Sequence, residues 1–203
     1  MELLPLINTI DKLLVLAIHN DSDHYILDSL MLTLRNPITW APLYLFLIIW
    51  TIKKYPKHLI EIIGITILTI ALADFISASI LKPFFQRLRP LHDPLISSYF
   101  RELINPGGLY SFPSTHATNH FALAVIWNKI FYQLSKKKAN WLYLWASIIC
   151  YAQVYVGKHY PTDIIAGTIL GSLIASLVHS INNSIKKMST NLLLKKDKSL
   201  ATS

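Results

Sequence analysis

Long apolar runs, more than the polar remainder of the chain can cover, set the first limit on how this sequence folds. Four of them, residues 36–52, 59–81, 141–157 and 164–182, read as membrane helices, and a weaker fifth spans 117–134 with His120 and Lys129 inside it. Only Glu61 and Asp74 interrupt the second run. Each is near the roughly 20 residues needed to cross a hydrocarbon core. At 53% hydrophobic and 15% charged, the chain falls well below the one-quarter charge of an ordinary globular domain. A water-soluble domain, a disordered chain and a collagenous or coiled-coil rod are excluded. The expectation is an all-α polytopic membrane bundle of five to six spans forming one domain over residues 1–185, with core spans in 36–182.

Residues 3–18 repeat Leu3, Ile7, Ile10, Leu14 and Ala17 at helical spacing, with Pro5, Asn8, Asp11 and Lys12 off that face. This segment, within 1–20, reads as an amphipathic helix lying in the interface. The competing reading is a sixth span that tucks Asp11 and Lys12 against other helices. The loops then set orientation. Lys53, Lys54 and Lys57, then Lys136, Lys137 and Lys138, then Lys186, Lys187, Lys195, Lys196 and Lys198 fall on one side if five spans alternate. The positive-inside rule makes that side cytoplasmic, with residues 186–203 a lysine-rich tail. These lysines account for most of the formal charge of +8, so nucleic-acid binding is not needed. The Met-Glu start lacks a basic n-region, so no cleaved signal peptide is expected. The lone Cys150 excludes an internal disulfide. Asp21, Asp23 and Asp28 on the outer side read as solvated surface charges.

Three polar clusters collect on the outer side. In Lys82-Pro-Phe-Phe-Gln-Arg87-Leu-Arg89-Pro90, a continuous helix would put Lys82 and Arg89 on one face. Two or three such cations form a seat for an oxyanion, with Arg gripping phosphate bidentately and Lys acting as a point charge; an ordinary juxtamembrane basic patch is the plainer alternative. In Phe112-Pro113-Ser114-Thr115-His116, Ser114 or Thr115 can cap the following helix, whose free N–H groups bind anions. A plain cap with a nearby histidine reads equally well. In Gly157-Lys158-His159-Tyr160-Pro161-Thr162-Asp163, Asp163 is placed to orient His159 through Nδ1 and leave Nε2 as a nucleophile; the alternative is a helix-capping His–Asp pair.

In this order the three clusters resemble the type 2 phosphatidic acid phosphatases, membrane relatives of the vanadium haloperoxidases. The resemblance covers roughly residues 36–182 and rests on Lys-x6-Arg-Pro, Pro-Ser-x-His and His-x3-Asp. It implies that Lys82, Arg89 and the nearby Arg87 bind phosphoryl oxygens, with Ser114 and the backbone around Thr115 completing the cradle. It further implies that His159 attacks phosphorus, Asp163 holds its tautomer, and His116 protonates the leaving oxygen and then activates water. No metal and no cofactor are implied. Two positions depart from the pattern. Thr115 stands where the family usually has Gly, and Ala152-Gln153 stands where it usually has Ser-Arg. Loss of that cation would cost about 10²-fold or more in rate, unless Gln153 contacts phosphate and Arg87 supplies part of the charge. Lys158 is not an obvious replacement, because neighbouring helical side chains diverge.

Other polar or small residues have structural readings. Asp74 is a functional candidate by its intramembrane position, or pairs with Lys82 or a polar neighbour. Gly167, Gly171 and Ala175 form a stripe that packs the last span on a neighbour or joins two copies. Trp40, Trp50, Trp127, Trp141 and Trp145 read mostly as interface anchors. The implied function is a metal-independent phosphatase in the cytoplasmic membrane, its site facing the periplasm or exterior. It would act on a lipid phosphate or diphosphate, with undecaprenyl diphosphate favoured by family analogy over phosphatidylglycerol phosphate, phosphatidate or lipid A types. A lipid phosphotransferase and an attenuated lipid-phosphate binding protein are the alternatives.

Overall fold

The structure is a computed structural model describing residues 3–20 and 25–200. Asp21 and Asp23, and the side chains of Lys195, Lys196 and Lys198, lie outside the described residues. The chain is helical: α1 (Leu3–Asn20), α2 (Tyr25–Leu34), α3 (Ala41–Lys54), α4 (Leu59–Asp74), α5 (Lys82–Phe85), α6 (Thr115–Ser135), α7 (Trp141–Tyr155) and α8 (Pro161–Leu200). A π-helical stretch, Phe75–Leu81, joins α4 to α5. No strand forms among the described residues; a lone bridge links Leu88 and Tyr110.

Two helical stretches, Pro56–Phe85 and Pro161–Asn191, are long and apolar enough to cross a membrane. The pair Tyr25–Leu34 and Pro37–Lys54, bent by 67°, also qualifies when taken together. Their outward faces carry exposed Leu45, Phe46, Ile67, Leu68, Leu173 and Leu177, the surface a lipid solvent requires rather than water. The buried cluster lies between them, on Ile62, Ile65, Ala122, Ile126, Trp127, Leu142, Trp145 and Ile149. Trp127 and Trp145 are therefore core residues and not interface anchors.

Helix α6 runs through the centre and packs most extensively on α8. The close approach is made by glycine. A Cβ on Gly167 would lie 2.5 Å from the Ser114 carbonyl oxygen, and one on Gly171 only 2.1 Å from that of Thr118. Of the two readings of this stripe, packing of the last span on a neighbour is the one that the α6 contact realises at Gly167 and Gly171. Gly171→Ala should lower stability by about 1–3 kcal/mol through overpacking, read as a lower melting temperature in detergent. Gly64→Ala, where nothing lies within 4 Å, should hold or raise it, since alanine is the better helix former.

The N-terminal helix turns its apolar side outward and its polar side inward. Leu6, Ile10, Leu13 and Leu14 are exposed, while Asp11 and His19 are buried. Lys12 pairs with Asp93 at 2.8 Å. Asp28 is not a solvated surface charge. It accepts from the Arg101 guanidinium at 2.6 Å and from the Tyr155 hydroxyl at 2.6 Å, clamping α2 to α7. The Arg101 N–H donates to His19 Nε2, so His19 Nδ1 carries the proton and donates to the Tyr155 carbonyl at 2.8 Å.

The lysine clusters and the outer motifs occupy opposite ends of the bundle. At one end Glu61 meets Lys186 and Asn182, the Tyr55 hydroxyl reaches the Leu134 carbonyl, and Lys54, Lys137 and Lys138 line one cavity. Residues 82–116 and 157–163 gather at the other end.

Candidate active site

The first cluster is assembled by a loop and not by a helix face. Helix α5 ends after one turn, because Gln86 adopts φ 49° and its N–H closes onto the Lys82 carbonyl. The chain then returns as an extended segment, with the Arg89 N–H donating to the Leu109 carbonyl and the Ser111 N–H to that of Arg87. Lys82 Nζ and Arg89 Nε consequently donate to the same acceptor, the Tyr110 carbonyl, each at 3.1 Å. Lys82 also reaches the Ser111 carbonyl at 3.2 Å. The convergence expected of a continuous helix is present, but loop 86–111 makes it.

Arg87 points elsewhere. Its guanidinium donates to Asp163 Oδ1 at 2.7 Å and Thr162 Oγ1 at 2.8 Å through one nitrogen. Through the other it reaches Asp11 Oδ2 at 2.7 Å and Asn8 Oδ1 at 3.0 Å. Asp11 closes the ring by accepting from the Thr162 N–H and hydroxyl. One cation held between two buried carboxylates has little charge left for a ligand, so the expected share of phosphate charge from Arg87 does not fit this geometry. Asp11, an N-terminal helix residue, was not singled out as part of the site; the reading that tucks Asp11 and Lys12 against other helices was the one signal that pointed inward.

The second cluster is a capped helix start. Ser114 is buried, its Oγ accepts from the Ala117 N–H at 3.3 Å, and its own N–H donates to the Asp163 carbonyl at 3.0 Å. This backbone bond ties the α6 start to the α8 start. His116 follows in the first turn, its ring centroid 6.3 Å from that of His159. His120 stacks on His116 and its Nδ1–H donates to the His116 carbonyl at 2.7 Å, so it lines the site one turn deeper. Asp74 accepts from Asn119 Nδ2 at 2.9 Å and does not reach Lys82.

The third cluster brings the imidazole in. His159 is buried, and its Nδ1 stands 3.7 Å from Asp163 Oδ2, close but longer than a hydrogen bond. That carboxylate oxygen accepts instead from the Tyr160 N–H at 2.8 Å. Burial pushes the His159 imidazole down to about 4; Asp163 opposes this, and Lys82 and Arg89 add to it. The ring is therefore neutral near pH 7. Lys158 does not diverge from the site. Residues 157–159 are not helical, Gly157 has φ +73°, and Lys158 Nζ donates to the Pro106 carbonyl at 2.7 Å beside Arg89, which reaches the same oxygen at 2.9 Å. Burial, with Arg89 and Arg35 nearby, pushes the Lys158 amine down to about 8.

Several buried polar atoms here have no hydrogen-bond partner: both amide atoms of Gln153, Thr115 Oγ1 and His159 Nδ1. Buried polar groups are nearly always satisfied, and such a set beside clustered cations marks a place where a polar ligand completes the bonding. Among the described residues no group of His, Cys, Asp and Glu side chains is arranged to hold a metal ion.

Residues 62–187 match the sequence profile of the PAP2 superfamily. The chain belongs to this family. All three clusters lie within the matched stretch, and the match includes the positions of Thr115 and Gln153. Among curated relatives, a lipid A 4'-phosphatase of Porphyromonas gingivalis is 34% identical over 152 residues, covering 73% of this chain and 63% of the relative. One of Bacteroides thetaiotaomicron is 32% identical over 151 residues, covering 70% and 64%. The chain thus spans slightly under two thirds of the length of these relatives. Among solved structures, the transmembrane PAP2-type phosphatidylglycerolphosphate phosphatase from Bacillus subtilis superposes with a TM-score of 0.70 at 20% identity, covering 89% of this chain and 88% of that one. That likeness establishes the PAP2 membrane fold.

Proposed function

We propose that this PAP2 protein is a lipid-phosphate phosphatase of five spans, with α1 in the interface and the site at the outer face of the cytoplasmic membrane. The observation that carries the reading is the meeting of His159 and His116 beside Lys82 and Arg89, at the end of the bundle opposite the lysine clusters of residues 53–57, 136–138 and 186–187. Orientation follows from those lysines by the positive-inside rule. The favoured substrate is a phosphomonoester on a lipid A-type saccharolipid, the substrate class named for the two curated relatives, in place of the undecaprenyl diphosphate that family analogy alone suggests. A groove of about 500 Å³ supports a substrate whose tails stay in the bilayer. It is lined by Ile7, Phe85, Arg87, Phe112, Thr162, Ile165 and Ile169, so it runs from the lipid-facing side of α8 to the Arg87–Asp163 pair.

In the proposed reaction the neutral His159 Nε2 attacks phosphorus in line. The P–O bond to the lipid breaks as the N–P bond forms, and His116, protonated when the dianion binds, gives its proton to the leaving oxygen. A water then loses a proton to His116 and attacks the phosphohistidine, releasing inorganic phosphate and restoring His159. Lys82, Arg89 and the N–H groups at the α6 start stabilise the charge on the transferring group. Asp163, fixed by Arg87 and the Tyr160 N–H, aligns the His159 ring.

The test is phosphate release in detergent from a panel of 4'-phosphorylated lipid A, phosphatidate, phosphatidylglycerol phosphate and undecaprenyl diphosphate. Release should persist in EDTA, stop with vanadate and be lost in His116→Ala. Release without any acceptor lipid separates hydrolysis from phosphotransfer. Binding with no turnover in the wild-type protein would sink the phosphatase reading.

A further inference from the structure

Arg35 is a strong cation of the outer side that no sequence motif singled out, and unlike Arg101 it has no carboxylate partner among the described residues. It follows the last turn of α2, where its N–H donates to the Met31 carbonyl at 3.1 Å. Met31 is packed on Ala152, Tyr155 and Val156, so Arg35 hangs from a helix end fixed to the turn of α7 that carries Gln153. Its Nε is buried without a hydrogen-bond partner. A buried guanidinium nitrogen with nothing to donate to is costly unless a ligand satisfies it. The charge of Arg35 falls on Arg89, Lys158 and His116, three residues of the site. Arg89 and Lys158 themselves rest on one neutral carbonyl, that of Pro106. Among the described residues no carboxylate pairs with any of these three cations. Mutually repelling cations with no carboxylate paired to them make a ready seat for an anion.

We propose that Arg35 is a phosphate-binding residue of this site, placed by α2 to donate to the phosphoryl oxygens and to provide the positive charge that Gln153 lacks. Arg35 is the better candidate than Lys158, whose Nζ already has a short bond to Pro106, and than Arg87, whose guanidinium is shared by two carboxylates. The cradle then draws on α2 as well as on the loop after α5 and the starts of α6 and α8. Gln153, with both amide atoms unpartnered, remains beside it as a neutral donor. The assignment rests on the phosphatase reading for its rate consequences, but its binding consequence stands apart from turnover.

The experiment compares wild type, R35Q, R35K and the double variant R35Q/Q153R, all purified in detergent and checked for thermal stability. Orthovanadate binding is titrated calorimetrically, and phosphate release from 4'-phosphorylated lipid A is measured in parallel. R35Q should weaken vanadate binding at least ten-fold and lower kcat/KM about 10²-fold, the scale for removing one charge-stabilising donor. R35K should fall between, because it keeps charge but loses the fork. R35Q/Q153R should recover at least ten-fold of the loss. Unchanged vanadate affinity in a folded R35Q overturns the proposal whatever the turnover result. A loss that Q153R does not repair, with melting temperature lowered equally in R35Q and R35K, also overturns it by making Arg35 a packing residue of α2 and α7. If wild type binds vanadate but releases no phosphate, the phosphatase reading fails and the binding series still decides Arg35.

Discussion

His159→Ala should abolish phosphate release, with a fall in kcat of at least about 10⁴-fold, the scale seen when a nucleophile-and-base unit loses a member. Vanadate binding should weaken by less than turnover, because the proposed site also places Lys82 and Arg89, which converge on the Tyr110 carbonyl, beside the anion. The pH profile of the wild type gives a second check with a definite sign. His159 is lowered to about 4, first by burial, so its ring is already neutral over most of the accessible range. Protonation of the free enzyme at this residue cuts kcat/KM only as pH falls through about 4. An acid limb near pH 6 would belong to the second ionisation of the substrate phosphate, about 6, and should move with the substrate's own pKa across the lipid panel. A limb near pH 6 that stays fixed for every substrate would mean that the attacking imidazole titrates normally. Rapid quenching of the wild type should trap an acid-labile phosphate on the protein that His159→Ala lacks; an equal yield from His159→Ala would remove the covalent mechanism.

The parts of this site that were legible in the sequence are those set by local spacing. The apolar runs that define α3, α4, α6, α7 and α8 depend on residues that are neighbours along the chain, so their existence and order followed directly. The order of Lys82, Arg89, His116, His159 and Asp163 was likewise readable, and these residues do meet at one end of the bundle. Helix-based geometry failed where a helix stopped. Lys82 and Arg89 share the Tyr110 carbonyl only because Gln86 turns the chain left-handed and residues 107–111 come back against 87–89. Lys158 joins the cations only because Gly157 has positive φ. Long-range pairs were invisible for a different reason. Asp11 meets Arg87 across 76 residues; the amphipathic pattern of α1 left open whether its polar side meets water or other helices, and it could not name Arg87 as the partner. Arg35 had one faint signal: it is a cation on the side of the chain that is otherwise free of the lysine clusters.

Arg87→Ala should cost more stability than any other single change in the motif region. Among the described residues Arg87 is the only charged partner of Asp163, since His159 is neutral, and it also neutralises Asp11; the Asp163 and Asp11 carboxylates are 0% and 1% exposed. Removing the cation leaves two like charges buried near each other, and breaking a buried pair in this way costs about 3–5 kcal/mol. The activity should fall as well, because Asp163 loses the bond that sets its angle to His159. The same activity loss in Arg89→Ala should come without a comparable drop in melting temperature. Among the described residues Arg89 hydrogen-bonds only the Tyr110 and Pro106 carbonyls, and removing it relieves repulsion among cations. The two arginines stand two residues apart, so the contrast tests whether the loop directs one guanidinium to structure and the other to ligand. Arg87→Gln combined with Asp11→Asn should recover stability relative to Arg87→Ala, since one of the two stranded charges is then gone. It should not recover full activity, since Asp163 remains without its cation. If Arg87→Ala instead weakened vanadate binding as strongly as Arg89→Ala and left the melting temperature unchanged, Arg87 would be a direct phosphate ligand. The two carboxylates would then have to release it when substrate binds.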